Sequence, residues 1–564
     1  MDHQNAQFFG TFRHTSPSGL DLGVGFPGTS ATEGDALRRR VSTAPASVLV
    51  SILAAMLLAA CSSPTEVRQA PVGESPFVYV KNTDIITEWD PARSYSNEII
   101  AFQNVYETLT LWNPVTKKSA PRLATGWRST ADGRSWTFTL RSGVTFHTGN
   151  PLDAEAVKAS IERTMRAKTG ASYIWDAVSS IRVEGPLTVT FALKYPVPLD
   201  LVASAGYAAY IYDTKAAPDL GKWLAQGRDA GSGPYTVAKW NKGKEDELTL
   251  KAYDGYWGGW NERPHYNTVK YRVVPDPERA YRMLQRGEAS FTDRLDPKLF
   301  AQAGAAPGIR TSDRPSFTTA MMLFNTATGP MKDIRLRKAV QYAIDYRGIV
   351  KALKGSVTPA SGVIPEGLLG HVPGRVPEQD LESATRLLQE AGYGPGGAPL
   401  RLRMTYGEGE ADEEVLAKRL RAALRPLNVT LKAEGMHWNA QWERGKKRGQ
   451  DIFVMYWWPD YADGYSYFGQ VFRAANPPEF NLTYLNDHRL DAMLDTVPEL
   501  TVTDKPAAQR VYEQATARVL DERAAAALPW VVKSRRAFLG GIQGYDDNPA
   551  YPDVVFVYDL KPSG

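Results

Sequence analysis

The sequence predicts a mixed α/β protein of two or three domains. Segments in which apolar and polar residues alternate follow segments in which apolar residues recur every three or four positions, so strands and amphipathic helices share the chain. After residue 400 a strand, a helix and two further strands follow in order, which is typical of parallel pairing. The chain beyond residue 60 is also too long for one ordinary hydrophobic core.

The early part of this pattern contains two strands with a helix between them. Residues 136–140 and 189–193 alternate as strands do. Between them, residues 153–165 carry an apolar stripe at helical spacing, and Asp153 can accept hydrogen bonds from the first free N–H groups of the helix. We therefore expect a small sheet beside one helix in this region.

Two further helices and a parallel strand unit follow. Asp333 and Asp380 can each cap a helix, and Gly392 suits the left-handed position that ends the second one. Residues 400–406, 429–433 and 451–456 then predict strands, and an apolar stripe over 412–427 predicts a helix between the first two.

The N-terminal region has the order of a bacterial signal peptide. Three arginines at 38–40 precede an apolar run at 47–60, and Cys61 follows directly. Residues 58–61, Leu-Ala-Ala-Cys, resemble a lipobox, in which the cysteine becomes lipidated and starts the mature chain. The alternative is a transmembrane helix, but the run is shorter than the roughly 20 residues that a span requires. We expect residues 1–36 to be an extension upstream of the true start near Leu37.

Composition argues against several functional classes. Beyond residue 60 the formal net charge is still +4 and the basic residues do not cluster, so nucleic-acid binding is not indicated. Cys61 is the single cysteine, which leaves no internal disulfide and no thiolate metal site. The histidines show no metal-ligand spacing and no phosphate-binding loop occurs. We expect no cofactor and no metal.

One segment combines two indoles with two carboxylates. It comprises residues 457–463, Trp-Trp-Pro-Asp-Tyr-Ala-Asp, and it follows a predicted strand at the end where α/β folds place ligands. A carboxylate beside aromatic faces suits a cationic or amino-bearing ligand. The alternative is a turn in which Asp460 caps the next segment and both tryptophans belong to the core.

Several separated motifs resemble those of the extracytoplasmic solute-binding proteins of ABC importers, in the oligopeptide/dipeptide/nickel-binding class known as family 5. They are NVYETL at 104–109, PRLATGW at 121–127, DGRSWTFTLRSGVTFH at 132–147, GSGPY at 231–235, YDGYW at 253–257, DIRLRKAVQYAID at 333–345 and ATRLLQEAGY at 384–393. Together they extend over nearly all of the chain after Cys61.

The resemblance implies a two-lobed, periplasmic-binding-protein-like α/β fold with three domains around a hinged ligand cleft. We assign 1–60 to the leader and lipoprotein signal peptide, 61–76 to a tether, 77–108 with 221–319 and 528–564 to domain I, 109–220 to domain II, and 320–527 to domain III. Domain III forms the second lobe.

The resemblance also implies a set of ligand-binding residues. Peptide-binding members hold the ligand's α-ammonium with an aspartate in a pattern like W-x-x-D-Y, which Trp457, Asp460 and Tyr461 match. Trp457 would be a cleft wall, and Trp458 would offer a second indole face. Tyr173 and Trp175 lie where domain II of the family supplies an aromatic contact, with a core role as the alternative. Asn97 and Glu98, in the early domain I loop, would lie at the edge of the cleft. The family usually continues with Asp-Pro, whereas this chain has Asp463-Gly464.

The resemblance predicts a lipid-anchored, monomeric binding protein outside the cell membrane that does no chemistry. It would capture oligopeptides or dipeptides and deliver them to an ABC permease with its ATPase subunits. Alternatives are the same role for a nickel chelate or an oligosaccharide, or a hydrolase that uses Asp460 and Asp463 as paired acids.

Overall fold

Most of the strands join one long sheet. The computed structural model describes residues 75–562 except 261–263 and 375. The strands in this part of the chain are β1 (Phe77–Lys81), β2 (Thr110–Asn113), β3 (Lys118–Pro121), β4 (Ala124–Ser129), β5 (Ser135–Leu140), β6 (Val178–Gly185), β7 (Thr188–Leu193), β8 (Tyr235–Trp240), β9 (Asp246–Ala252), β10 (Thr268–Val273), β11 (Phe291–Thr292), β12 (Ile309–Phe324), β13 (Val357–Thr358), β14 (Leu400–Gly407), β15 (Val429–Met436), β16 (Ile452–Trp457), β17 (Ala526–Ala527) and β18 (Val531–Leu539).

Helices connect and cover these strands. They are α1 (Ile99–Val105), α2 (Ala154–Ala167), α3 (Leu199–Val202), α4 (Leu220–Leu224), α5 (Pro277–Gln285), α6 (Pro297–Ala305), α7 (Ile334–Ala343), α8 (Tyr346–Ala352), α9 (Leu381–Glu390), α10 (Ala411–Leu424), α11 (Trp438–Lys446), α12 (Tyr465–Val471), α13 (His488–Thr503) and α14 (Lys505–Ala517). The predicted caps are confirmed: Asp153, Asp333 and Asp380 each accept a backbone N–H in the first turn of α2, α7 and α9.

The long sheet has the strand order β15-β14-β16-β12-β18-β11-β1-β10-β9-β8, with β13 and β17 paired to β18 and β12. A separate antiparallel sheet, β4-β5-β7-β6, contains both early strands that the sequence predicts, and α2 packs beside it. A two-stranded ladder of β2 and β3 completes the set.

Parallel pairing occurs at two places in the long sheet. β1 is parallel to β10 and β11, and β14 is parallel to β15 and β16, as the strand-helix-strand pattern predicts. The carboxyl ends of parallel strands are where α/β folds place ligands. The segment with Asp460 follows the carboxyl end of β16.

Two hydrophobic clusters supply most of the core in the described residues. The larger one joins β1, the small sheet and α12 through residues such as Phe77, Phe138 and Phe468. The second one packs Leu336 and Leu416 of α7 and α10 against β14 and β16. No helix of the described residues is long and apolar enough to cross a membrane.

The remaining secondary-structure predictions are confirmed with small shifts at the ends. The predicted helix over 412–427 is α-helical only to Leu424, and Arg425–Leu427 form a tighter turn around Pro426, which cannot donate the next helical hydrogen bond. Gly392 has a φ of +84°, as a helix-ending glycine requires. The predicted leader, Cys61 and residues 62–74 of the tether lie outside the described residues, and the domain boundaries remain predictions.

Candidate functional site

Asp460 is held in place by the first turn of α12. Its backbone N–H donates to Ser466 Oγ at 2.9 Å, and the same hydroxyl donates to Asp460 Oδ2 at 3.1 Å. The two bonds close a small ring around the loop between β16 and α12. This ring fixes the direction of the carboxylate.

A distant part of the chain completes the environment of Asp460. The Tyr173 hydroxyl donates to Asp460 Oδ2 at 2.9 Å, and the Gly206 N–H donates to the Asp460 carbonyl at 3.3 Å. Both residues belong to the segment 109–220, which the sequence assigns to domain II, whereas Asp460 belongs to the predicted domain III. The structure therefore brings two predicted site residues, Asp460 and Tyr173, into direct contact.

The Asp460 carboxylate is a buried charge with one oxygen available. Both hydroxyl donors reach Oδ2, and no donor from the described residues reaches Oδ1. Among those residues no lysine, arginine or histidine forms an ion pair with Asp460, which is 9% exposed. Burial raises the pKa of Asp460 from 3.8 to about 6, although the hydrogen bonds from Tyr173 and Ser466 lower it.

Two aromatic residues adjoin this carboxylate. The Trp458 side chain is half-buried and lies near the Tyr207 hydroxyl, and Tyr207 lies within electrostatic range of Asp460. Burial raises the pKa of Tyr207 well above its ordinary value, so its hydroxyl stays neutral and can donate or accept. Trp458 thus lies beside the predicted anchor.

Trp457 is buried behind the site and contacts Ser466. It is 8% exposed, its indole N–H donates to the Ser466 carbonyl at 3.1 Å, and its ring meets Phe480 edge-on at 5.1 Å. Its polar edge is therefore engaged inside the protein. Trp457 positions Ser466, which in turn positions Asp460. Trp175 is likewise buried, with its indole N–H on the Ala208 carbonyl.

Asp463 has a different environment from Asp460. It is 2% exposed, and its Oδ1 accepts the Tyr465 N–H at 2.7 Å and the Tyr512 hydroxyl at 3.0 Å. Asp463, rather than Asp460, therefore satisfies the start of α12 and ties it to α14. Tyr461, between the two aspartates, is half-buried, and burial raises its pKa well above the ordinary range.

The Asp463-Gly464 step is explained by a lack of space. A Cβ atom at Gly464 would lie 2.5 Å from the Leu369 carbonyl oxygen and 2.5 Å from Ile364 Cδ1. A proline or any other side chain would collide with that backbone, so the chain requires glycine here.

Asn97 is placed apart from Asp460. Its side-chain amide donates to the Asp84 carbonyl at 3.3 Å, and no described contact joins it to the other predicted residues. Its neighbour Glu98 is fully buried and accepts the N–H groups of Thr87, Glu88 and Ser96 at 2.9, 2.9 and 3.0 Å. Glu98 also lies within electrostatic range of Tyr207.

Sequence reasoning missed two residues of the site, Ser466 and Tyr207. Ser466 lies six positions after Asp460 without any motif between them. Tyr207 lies in a buried stretch of small and aromatic residues that reads as ordinary core. Only the folding of the loop back onto itself reveals the first, and only the approach of the segment 109–220 reveals the second.

Comparison with known proteins defines the class to which this fold and site belong. Residues 118–478 match the model of bacterial extracellular solute-binding proteins, family 5, in its middle region. The chain is 27% identical over 409 residues to the probable D,D-dipeptide-binding periplasmic protein DdpA of Escherichia coli K12, covering 71% of this chain and 77% of that one. It is 26% identical over 417 residues to the glutathione-binding protein GsiB of Salmonella paratyphi A, with 72% and 79% covered.

Solved structures show the same fold. NikA from Brucella suis, in complex with Fe(III)-EDTA, superposes with a TM-score of 0.77 at 22% identity, covering 87% of this chain and 100% of that one. DppA from Helicobacter pylori, in complex with the peptide STSA, gives 0.73 at 20% identity, with 87% and 98% covered.

The chain therefore belongs to the family 5 solute-binding proteins, the periplasmic binding proteins of ABC importers. Its fold is the two-lobed α/β fold of that family, with a ligand cleft between the lobes. Its relatives are substrate-binding transport proteins.

Proposed function

We propose that this protein captures short peptides in the cleft between its lobes by binding their α-ammonium group to Asp460. The observation that carries the proposal is the carboxylate itself, which is buried, lacks a protein cation among the described residues and has Oδ1 free of donors. An ammonium group brings three donors and a compensating charge.

The surroundings of Asp460 suit the first residue of a peptide. Trp458 and Tyr207 offer apolar surface with polar edges beside the carboxylate. The Tyr207 hydroxyl and nearby backbone groups can exchange hydrogen bonds with the ligand's main chain, and water can fill the space that different side chains leave. Relatives named for dipeptides and glutathione, all ligands with peptide bonds, support this class.

The other parts of the role are proposed with it. Lipidation of Cys61 would anchor the chain to the outer face of the cell membrane, where it would act as a monomer and deliver peptide to a permease with its ATPase subunits. A tether of this kind raises the local concentration of loaded protein at the permease. The protein would act without a cofactor and without enzymatic activity.

Calorimetric titration tests both the peptide class of the ligand and the role of Asp460 in binding its ammonium group. We expect a tri- or tetrapeptide to bind, its N-acetylated form to bind at least about 30-fold more weakly, and Asp460→Asn to lose a similar factor, because each change leaves a buried charged or polar group without its partner. Asp254→Asn is the matched control, since Asp254 is exposed. Equal binding of the free and acetylated peptides, or tight binding by Asp460→Asn, would refute the role of Asp460 as the binding site of the α-ammonium group. Native mass spectrometry that recovered a sugar or a metal chelate would refute the peptide class.

A further inference from the structure

Asp460 lies where segments of the predicted domains II and III are in contact. Ser466, which orients the carboxylate, belongs to the predicted domain III, whereas Tyr173 and Gly206, which donate to the side chain and backbone of Asp460, belong to the predicted domain II. Since domain II belongs to the first lobe and domain III is the second, separation of the lobes would break the bonds from Tyr173 and Gly206. It would leave the bond from Ser466 intact.

Within residues 75–562, apart from 261–263 and 375, no element packed around Asp460 brings a positive charge to it. Its own loop contributes Tyr461 and Asp463, and α12 contributes Ser466 and Tyr467. The facing groups from the predicted domain II are Tyr173 and Tyr207. Glu479 lies within electrostatic range of Tyr173, and Glu98 lies within electrostatic range of Tyr207. The titratable groups that surround Asp460 are therefore tyrosines and further acids. A buried carboxylate with only hydroxyl donors is costly to remove from water.

From these two observations we propose that the uncompensated charge of Asp460 opposes closure of the cleft until a ligand cation enters; this proposal rests on the proposed function. Tyr173 is the positioning residue, because its hydroxyl reaches Asp460 only when the cleft is closed. In the open protein the carboxylate is solvated. Closure strips that water and supplies one Tyr173 hydroxyl in exchange. A ligand ammonium on Oδ1 removes the penalty, so the charge selects amino-bearing ligands at the closing step and not only at first contact.

Like a bound ligand cation, a lower pH should favour the closed state. The closed arrangement raises the pKa of Asp460 from 3.8 to about 6, so the closed state binds a proton more tightly than an open, solvated one. Between about pH 6 and pH 4, protonation therefore favours closure. A pKa of Asp460 that is higher by about two in the closed state corresponds to a change on the order of 100-fold in the closed-to-open ratio.

Single-molecule energy transfer between the lobes tests this without peptide. Arg166 of α2 and Glu443 of α11 are exposed and lie on different predicted lobes, so each can be changed to cysteine for labelling. The chain then carries Cys61→Ser, which leaves the labels on its only cysteines. The closed-to-open ratio is measured at pH 7.5 and at pH 5.

At pH 7.5 we expect Asp460→Asn to raise the closed-to-open ratio at least tenfold over wild type and over Asp254→Asn. Lowering the pH to 5 should raise the ratio of wild type and leave that of Asp460→Asn unchanged. Tyr173→Phe should lower the ratio in both backgrounds.

The proposal fails if wild type and Asp460→Asn close equally at pH 7.5. It also fails if the wild-type ratio does not change with pH, a result that does not depend on how the variant folds. Because no peptide is present, these results are separate from the test of the proposed function. Peptide binding at Asp460 combined with pH-independent closure would overturn the proposed effect of the Asp460 charge on closure and would leave the proposed peptide-binding function standing.

Discussion

The environment of Asp460 is built by polar atoms of three neighbours, Trp457, Ser466 and Tyr173. The Trp457 indole N–H donates to the Ser466 carbonyl, and the Ser466 hydroxyl donates to Asp460 Oδ2. The Tyr173 hydroxyl, from the predicted domain II, donates to the same oxygen. Because both hydroxyl donors bind Oδ2, Oδ1 is the carboxylate oxygen that remains available to a ligand. A side chain whose rotamer is fixed in this way loses little entropy when a ligand binds.

The same lack of a counter-charge predicts an effect on stability. Because the folded protein binds a proton on Asp460 more tightly than the unfolded chain does, ionisation of Asp460 destabilises the fold as the pH rises from about 4 to about 6. Asp460→Asn, which mimics the neutral form, should raise the free energy of unfolding at pH 8 by up to about 3 kcal/mol, and by less to the extent that the peptide-free protein relieves the charge by opening. Urea unfolding without added peptide checks this. The gain should disappear at pH 4, and a loss of stability at pH 8 would contradict it.

At the residue scale the sequence points to Asp460 and Tyr173 as candidate site residues, but not to Ser466 or Tyr207. Asp460, Trp457 and Tyr461 carry a short local motif. Ser466 and Tyr207 reach the site only because a loop folds back and a distant segment approaches, and neither event leaves a pattern in the chain. Asn97, chosen by position alone, has no described contact with the site.

At the scale of elements, the start of α12 determines where Asp460 lies. Asp463 accepts the Tyr465 N–H, and Gly464 passes so close to the Leu369 carbonyl that no side chain fits there. The helix therefore begins at Tyr465, and Ser466 is placed in its first turn under the carboxylate.

This close approach predicts the result of Gly464→Ala. The new methyl group would need to displace Ile364 and the backbone at Leu369, so we expect a loss of about 1–3 kcal/mol in unfolding free energy. The shift of α12 should also weaken peptide binding. Gly126→Ala is the control, because no atom lies within 4 Å of the added Cβ and its φ is not positive. Urea unfolding and peptide titration measure both effects, and equal stability of the two variants would contradict the steric argument.

Helices and strands were predictable wherever hydrophobic periodicity and caps agreed. α2, α7 and α9 begin after the predicted aspartates because those caps act within a few residues of the chain. The end of α10 differs from the prediction because the apolar stripe continues past Pro426, which stops the α-helix without interrupting the stripe.

At the scale of the whole molecule, one sheet connects the parts that the sequence divides into domains. The predicted boundary at 319/320 falls inside β12, and β18 pairs with both β12 and β11. Strand order in such a sheet depends on pairing between residues far apart in the chain. Periodicity could therefore predict the strands and the parallel units but not this continuity.

The pairing of β12 with β18 contains one irregular place. The register shifts between Pro315 and Thr319, next to the predicted domain boundary. We expect backbone amides at 316–318 to exchange with solvent at least about tenfold faster than those at 320–324, where β12 pairs regularly with β16. Hydrogen exchange read by mass spectrometry measures this, with 320–324 as the internal reference. Uniform protection along β12 would contradict this expectation.

A shared sheet also limits how the two lobes can separate. Domains joined by loose linkers can adopt a wide range of orientations, whereas lobes joined through hydrogen-bonded strands can turn only as far as those strands twist without breaking. Opening is then an elastic deformation with a restoring torque, and the interlobe angle should be narrowly distributed. If the protein delivers its ligand to a permease as proposed, the shared sheet would keep even the open form close to the orientation of the closed one.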